Sequence, residues 1–266
     1  MLDDMRRPPR LTARPGVPPV RAVERAVALL RAFAPERPRL GLSELARAAG
    51  LDKGTARRLL LTLAAAGLVE FDERAQLYRL GADVLGIAAA VEAGRDLREV
   101  AAPVLTDVTE KTGATAFLWV HHDGTALCVE RVRAPLLRID ATWFTVGARA
   151  FLNCGGGPRV LLAYITEEER EAALAGELPQ RTPASETDPA RLREAARTIR
   201  ARGWELAVDD FFVGLAALGV PILDRRGAFV GALSITGLTA GIVEDGRPRH
   251  LDILLGAATR IGEQLR

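Results

Sequence analysis

Cysteine is scarce: the 266-residue chain holds two, Cys128 and Cys154. Two thiols make no disulfide framework. With only three histidines, His121, His122 and His250, they also give no metal-ligand spacing, so no metal site is expected. Long apolar runs are absent too. Every hydrophobic stretch is broken by Arg, Asp, Glu or Gly before the roughly 20 residues that a membrane span needs. The opening MLDDMRRPPRLTARPGVPP lacks the apolar stretch of a signal peptide, and the expected setting is cytoplasmic, with no membrane partner. What is plentiful is ordinary: 48% hydrophobic and 26% charged residues, the balance of a folded protein and not of a disordered or collagenous one. Length over ~150 suggests two domains.

Charge is unevenly spread. Of the 36 Lys+Arg and 34 Asp+Glu, 15 and 9 lie in residues 1–82, a net of +6, which leaves 21 against 25 beyond, a net of −4. A basic front on an acidic body points to a polyanion partner for the front, although the arginines of a solvated tail would give the same balance.

Residues 1–19 carry five prolines among scattered arginines, so a Pro/Arg arm without regular structure is expected. From Val20 apolar residues recur at helical spacing and stop before Pro35. Ser43 is the expected N-cap of a short second helix ending at Gly50. Asp52 caps a third, from Lys53 to about Ala66. LVEFDERAQLYRLG then alternates about a polar turn, as a hairpin does. Three helices, a tight turn and a hairpin are the order of a winged helix-turn-helix over residues 20–82.

A helical wheel of the third helix places Ala56, Leu59, Leu60 and Leu63 on one arc. Gly54, Arg57, Arg58 and Leu61 lie opposite, with Lys53 and Thr55 at the N-terminal end. Long donors on the outward face suit phosphates and base edges. Lys53, Thr55, Arg57 and Arg58, with Ser43 on the preceding helix, are therefore the candidate contacts to a double-stranded DNA operator. Residues 83–95 are expected to form a low-charge linker helix whose apolar side is buried against either the second domain or a partner subunit, and dimerisation suits a DNA reader.

Residues 96–266 mix helices and hairpins irregularly, which indicates an α+β domain with an antiparallel sheet rather than a doubly wound one. They contain no Ser–His–acid order, HExxH, P-loop or GxGxxG in a credible context, so no enzyme activity and no cofactor are expected. Gly155-Gly156-Gly157 before Pro158, read as N1 of a helix, either presents backbone N–H groups to a carboxylate or makes a plain tight turn.

Taken in order, these segments resemble the IclR (isocitrate lyase regulator) family of bacterial transcription factors, from about Val20 to Arg266. The likeness rests on RAVERAVALLRAFA, LSELARAAGLDKGTARRLLLTLAAAGLVE and YRLG in the first domain. In the second it rests on VGARAFLNCGGGPRVLLAYITEEE, RTPASETDPARLREAARTIRARGW and VPILDRRGAFVGALSITG. The resemblance implies a winged helix, a linker helix and a GAF-like effector domain that binds a small, often carboxylate-bearing metabolite. It also implies dimers, or tetramers built from them. The family's pocket falls on Asn153, Cys154, Gly155 and Gly156 and on two hydroxyls of a late strand, Ser234 and Thr236, which alternation puts on one face. Two positions that supply polar groups in the family fall on Ala207 and Ala217, and Asp209 or Asp210 replaces them only if the strand slips in register. Trp143, Phe144, Phe211 and Phe212 then suit a more apolar or aromatic effector. An enzyme with an appended DNA-binding domain and a DNA-organising protein without effector are the competing readings.

Overall fold

The computed structural model describes residues 19–34, 37–92, 96–134 and 144–265. The arm expected at 1–19 therefore lies almost wholly outside the described residues, as do Trp143 and the last three positions of the expected linker. The chain divides into two units, Leu11–Arg95 and, in the main, Asp96–Arg266.

The first unit runs α1 (Arg21–Leu30), α2 (Leu42–Ala48), α3 (Lys53–Ala65), β1 (Val69–Asp72), β2 (Leu77–Leu80) and α4 (Asp83–Glu92). Leu29, Leu40, Leu45, Ala56, Leu60, Leu63, Val69 and Tyr78 form its core. The wheel of α3 is realised: Ala56, Leu60 and Leu63 are buried and Leu59 half-buried, whereas Arg57, Arg58 and Leu61 are exposed. Asp52 caps α3, its Oδ1 accepting from the Thr55 N–H at 2.9 Å, and that bond holds the carboxyl below its ordinary range. Ser43 is not a cap. Helix α2 starts two residues earlier, with Gly41 at the N-cap, because Glu44 reaches back and its Oε2 accepts from the Gly41 N–H at 2.9 Å. Ser43 sits exposed in the first turn.

The second unit runs α5 (Asp96–Thr112), β3 (Thr115–His122), β4 (Thr125–Val132), β5 (Arg149–Ala150), α6 (Gly156–Tyr164), α7 (Glu167–Leu174), α8 (Pro189–Arg202), β6 (Glu205–Val208), β7 (Leu215–Leu223), β8 (Phe229–Leu238), the short α9 (Thr239–Ile242), β9 (Val243–Glu244), β10 (Arg247–Pro248), and α10 (Leu251–Gln264). Six strands form one sheet in the order β5-β4-β3-β8-β7-β6, antiparallel at every pairing. Side-chain alternation sorts its two faces. Leu118, Leu218, Val220, Leu233 and Ile235 pack with Leu105 of α5 and Leu254 and Ile261 of α10. On the other face Phe117, Trp119 and Ala232 pack with Val160 and Leu161 of α6 and Leu192 and Ile199 of α8. The unit is a helix–sheet–helix layering.

Helix α6 begins at Gly156, not at Pro158, with Gly155 as N-cap at φ +87°. A Cβ on Gly156 would stand 2.7 Å from the Ala217 carbonyl oxygen, and one on Gly219 would stand 2.4 Å from the Gly156 carbonyl carbon. The two glycines thus let the N-terminus of α6 lie directly on β7.

Candidate functional site

On α3 the side chains of Lys53, Arg57 and Arg58 are exposed, and none is held in an ion pair among the described residues. Arg79 of the hairpin differs: its Nε donates to Glu70 at 2.8 Å. Thr55 is half-buried and its N–H belongs to the Asp52 cap. One helix face therefore carries three cations without partners, in the unit where the sequence places its positive charge.

In the second unit a partly open cavity lies between the start of α6 and the sheet. Its walls include Phe117, Trp119, Phe144, Phe211 and Phe212, and its polar groups come from Gly155, Asp210, Ser234 and Thr236. The strand register explains the meeting: Phe117 pairs with Ser234 and Ala217 with Thr236, on the sheet face that α6 covers. Cys154, Gly155, Gly156, Ser234 and Thr236 are brought together here. Asn153 is not. It is fully buried, and its Nδ2 donates to the carbonyls of Pro179 at 3.1 Å and Glu186 at 2.9 Å, pinning the loop after α7.

Two polar groups are partly committed within the protein. Ser234 Oγ accepts from the Trp119 indole at 3.0 Å, and the Gly155 N–H donates to Asp210 Oδ2 at 2.7 Å. Ala217 lines the cavity, but Ala207, its partner across β6–β7, does not. No register slip is involved in placing Asp210. Strand β6 ends at Val208, and the turn that follows starts with Asp209 at φ +58°. Asp209 Oδ1 accepts from the Gly214 N–H at 2.7 Å. The turn is tied down by hydroxyls of Thr182 and Ser185, which donate to the Asp209 and Asp210 carbonyls, each at 2.6 Å. Alternation on a strand does not reveal a residue carried in by a turn, which is why Asp210 is not legible as a pocket residue.

Burial raises the Asp210 carboxyl above its ordinary range, against the Gly155 N–H and the Arg159 cation, which lower it. Burial also pushes the Cys154 thiol up to about 11 and that of Cys128 to about 12, so neither is a thiolate at neutral pH. No histidine lines the cavity, and among the described residues no cluster of His, Cys, Asp or Glu has the makings of a metal site. An aromatic enclosure with hydroxyls and one carboxyl is suited to holding and orienting a small molecule.

Comparison with known proteins agrees with this division. Residues 22–73 match the IclR helix-turn-helix domain, and residues 89–263 match the bacterial transcriptional regulator IclR C-terminal domain. The glycerol operon regulatory protein of Streptomyces griseus is 34% identical over 86% of this chain and 89% of its own. The transcriptional repressor IclR of Escherichia coli is 27% identical over 90% and 88%. The structure of an IclR homolog from Microbacterium hydrocarbonoxydans, complexed with 4-hydroxybenzoate, superposes with a TM-score of 0.79 at 26% identity, covering 91% of this chain and 97% of that one. With a winged helix-turn-helix followed by a domain that holds an aromatic-walled cavity, and with both halves matched, the chain belongs to the IclR family of bacterial transcriptional regulators.

Proposed function

We propose that the protein is a cytoplasmic regulator whose affinity for a DNA operator is set by a small apolar or aromatic metabolite, and that it acts by binding without turnover. Lys53, Thr55, Arg57 and Arg58 contact the operator, with Ser43 beside them on α2. The effector occupies the cavity between the Cys154–Gly156 loop and the Ser234 and Thr236 hydroxyls, and Asn153 holds that loop in place. The observation that carries this reading is the pairing of an exposed cationic helix face with an aromatic-walled cavity in a separate unit. The ligand of the Microbacterium relative, an aromatic acid, supports the size and character of the expected effector. With Ala217 and not a polar side chain in its wall, the cavity favours a ligand with more apolar surface than a small keto acid. An effector changes operator affinity only by binding the DNA-competent and incompetent states unequally, so pocket and operator variants have separable phenotypes.

The test is binding to the DNA upstream of the protein's own gene at two salt concentrations. An arginine reading guanine contributes about 1–3 kcal/mol of base discrimination, whereas a phosphate contact weakens binding to all sequences and lowers the salt slope. Arg57→Ala and Arg58→Ala are expected to show one or the other. Unchanged affinity in both variants refutes the assignment of α3.

A further inference from the structure

Beside the main cavity lies a second, much smaller cleft, with Arg181 and Asn153 among its lining residues. Phe144, Cys154 and Phe211 are walls of both, so the two are neighbouring compartments. The Arg181 guanidinium lies over the Phe211 ring, 5.7 Å from its centroid. Its Nε is buried without a hydrogen-bond partner, and no carboxylate of the described residues pairs with it. Other arginines of this unit are answered: Arg159 meets Glu205 at 3.0 Å, and Arg193 meets Glu171. Arg181 is half-buried, and a partly desolvated cation without a counter-ion gains when an anion arrives. Asn153 adds a second unanswered group. Its Oδ1 is buried and unpartnered, and its orientation is fixed because Nδ2 serves two carbonyls. Asp210 lines the main cavity and disfavours an anion beside it.

We propose that Arg181 is the seat of the effector's carboxylate. The ligand is then an aryl carboxylate whose ring lies among Phe117, Trp119 and Phe212 and whose acid end passes the Phe144–Phe211 edge to the guanidinium. A hydroxyl or water beside that carboxylate supplies the proton that Asn153 Oδ1 lacks. This rests on the reading of the main cavity as the effector pocket.

Calorimetric titration of the full chain with benzoate, 4-hydroxybenzoate and phenylacetate, beside the uncharged 4-hydroxybenzamide, tests it. The wild type is expected to bind at least one acid. Arg181→Gln weakens that acid at least tenfold, Arg181→Lys retains an intermediate affinity, and the amide is insensitive to both. Thr236→Val weakens acid and amide alike. Because Arg181 has no ion pair to lose, only its place over the Phe211 ring, Arg181→Gln is expected to lower the melting temperature little; a large drop overturns the unpaired-cation argument. Acid affinity unchanged in Arg181→Gln but reduced in Thr236→Val removes Arg181 and leaves the pocket standing. Acid affinity insensitive to both variants removes the pocket as well. Failure of every acid to bind the wild type at millimolar concentration overturns the carboxylate seat, and binding of the amide alone then preserves an uncharged-ligand pocket.

Discussion

The indole N–H of Trp119 on β3 donates to the hydroxyl of Ser234 on β8 at 3.0 Å, and both side chains are buried. Ser234 is thus spent as an acceptor inside the protein and keeps its own proton to offer to a ligand. The hydroxyl therefore has a structural role beside the binding role proposed for it. Ser234→Ala leaves a buried indole N–H without a partner, for which the expected loss of effector-domain stability is about 1–3 kcal/mol. Thr236, half-buried two residues on, has no such duty, and Thr236→Val is the cleaner probe of the pocket. Chemical denaturation followed by tryptophan emission checks the contrast. Equal stability of Ser234→Ala and wild type contradicts the structural role.

The fold was legible wherever local chemistry is redundant. Helix α8 is announced by Asp188-Pro189 and ended by Gly203 at φ +79°, so three independent signals agree on its span. Ser234 and Thr236 were legible as a pair because alternation on a buried strand is strict. Ser43 misled because a serine before an acidic residue resembles a cap, while a glutamate reaching back to a glycine N–H competes for the same turn. Asp210 and Arg181 lie in irregular segments with no period to read. Only the tertiary ties to Thr182, Ser185 and Gly155 bring Asp210 to the cavity. Strands β5, β9 and β10 have two residues each, too few for alternation to show.

The contact of Gly156 with β7 gives a prediction of sign. A Cβ at Gly156 meets backbone atoms of Ala217, Leu218 and Gly219 at 2.7–2.9 Å, and backbone cannot rotate away as a side chain does. Gly156→Ala is expected to destabilise the effector domain by roughly 1–3 kcal/mol, as overpacking does. The same exchange at Gly86 in α4, where a Cβ meets nothing within 4 Å, is expected to stabilise the N-terminal unit by about 1 kcal/mol through helix propensity alone. Thermal unfolding resolved by unit decides it. Two shifts of the same sign mean that close approach is not what holds glycine at 156.

Asp210 predicts a pH dependence. Burial raises its carboxyl in the folded protein, so the group favours folding below its unfolded value of about 3.9. That contribution is lost as the pH climbs through the raised folded value. Asp210→Asn keeps an oxygen to accept from Gly155 and removes the charge. The variant is expected to match the wild type near pH 4 and to melt higher at pH 8. A difference in melting temperature that is constant across this range means that the carboxyl titrates normally.

The last prediction concerns α4. Its only charged residues are Asp83 and Glu92, at its two ends, and Leu85 and Ile87 are 74% and 59% exposed. A helix so apolar leaves surface that water does not favour, and a second copy of the chain is the cover expected of a DNA reader. Operators read by helix-turn-helix proteins commonly present two half-sites, each needing its own recognition helix, and an isologous contact supplies both from one interface. The protein is therefore expected to be at least dimeric at micromolar concentration, measured by light scattering against a monomer of 28.6 kDa. Leu85→Glu combined with Ile87→Glu places like charges across that two-fold contact, which shifts the population toward monomer and weakens binding to a two-half-site operator far more than to a single half-site. Neither substitution touches α3, so residual binding to one half-site shows that the DNA-reading unit has stayed folded. A wild-type monomer that holds the full operator tightly, or a double variant that remains dimeric, removes α4 from the interface.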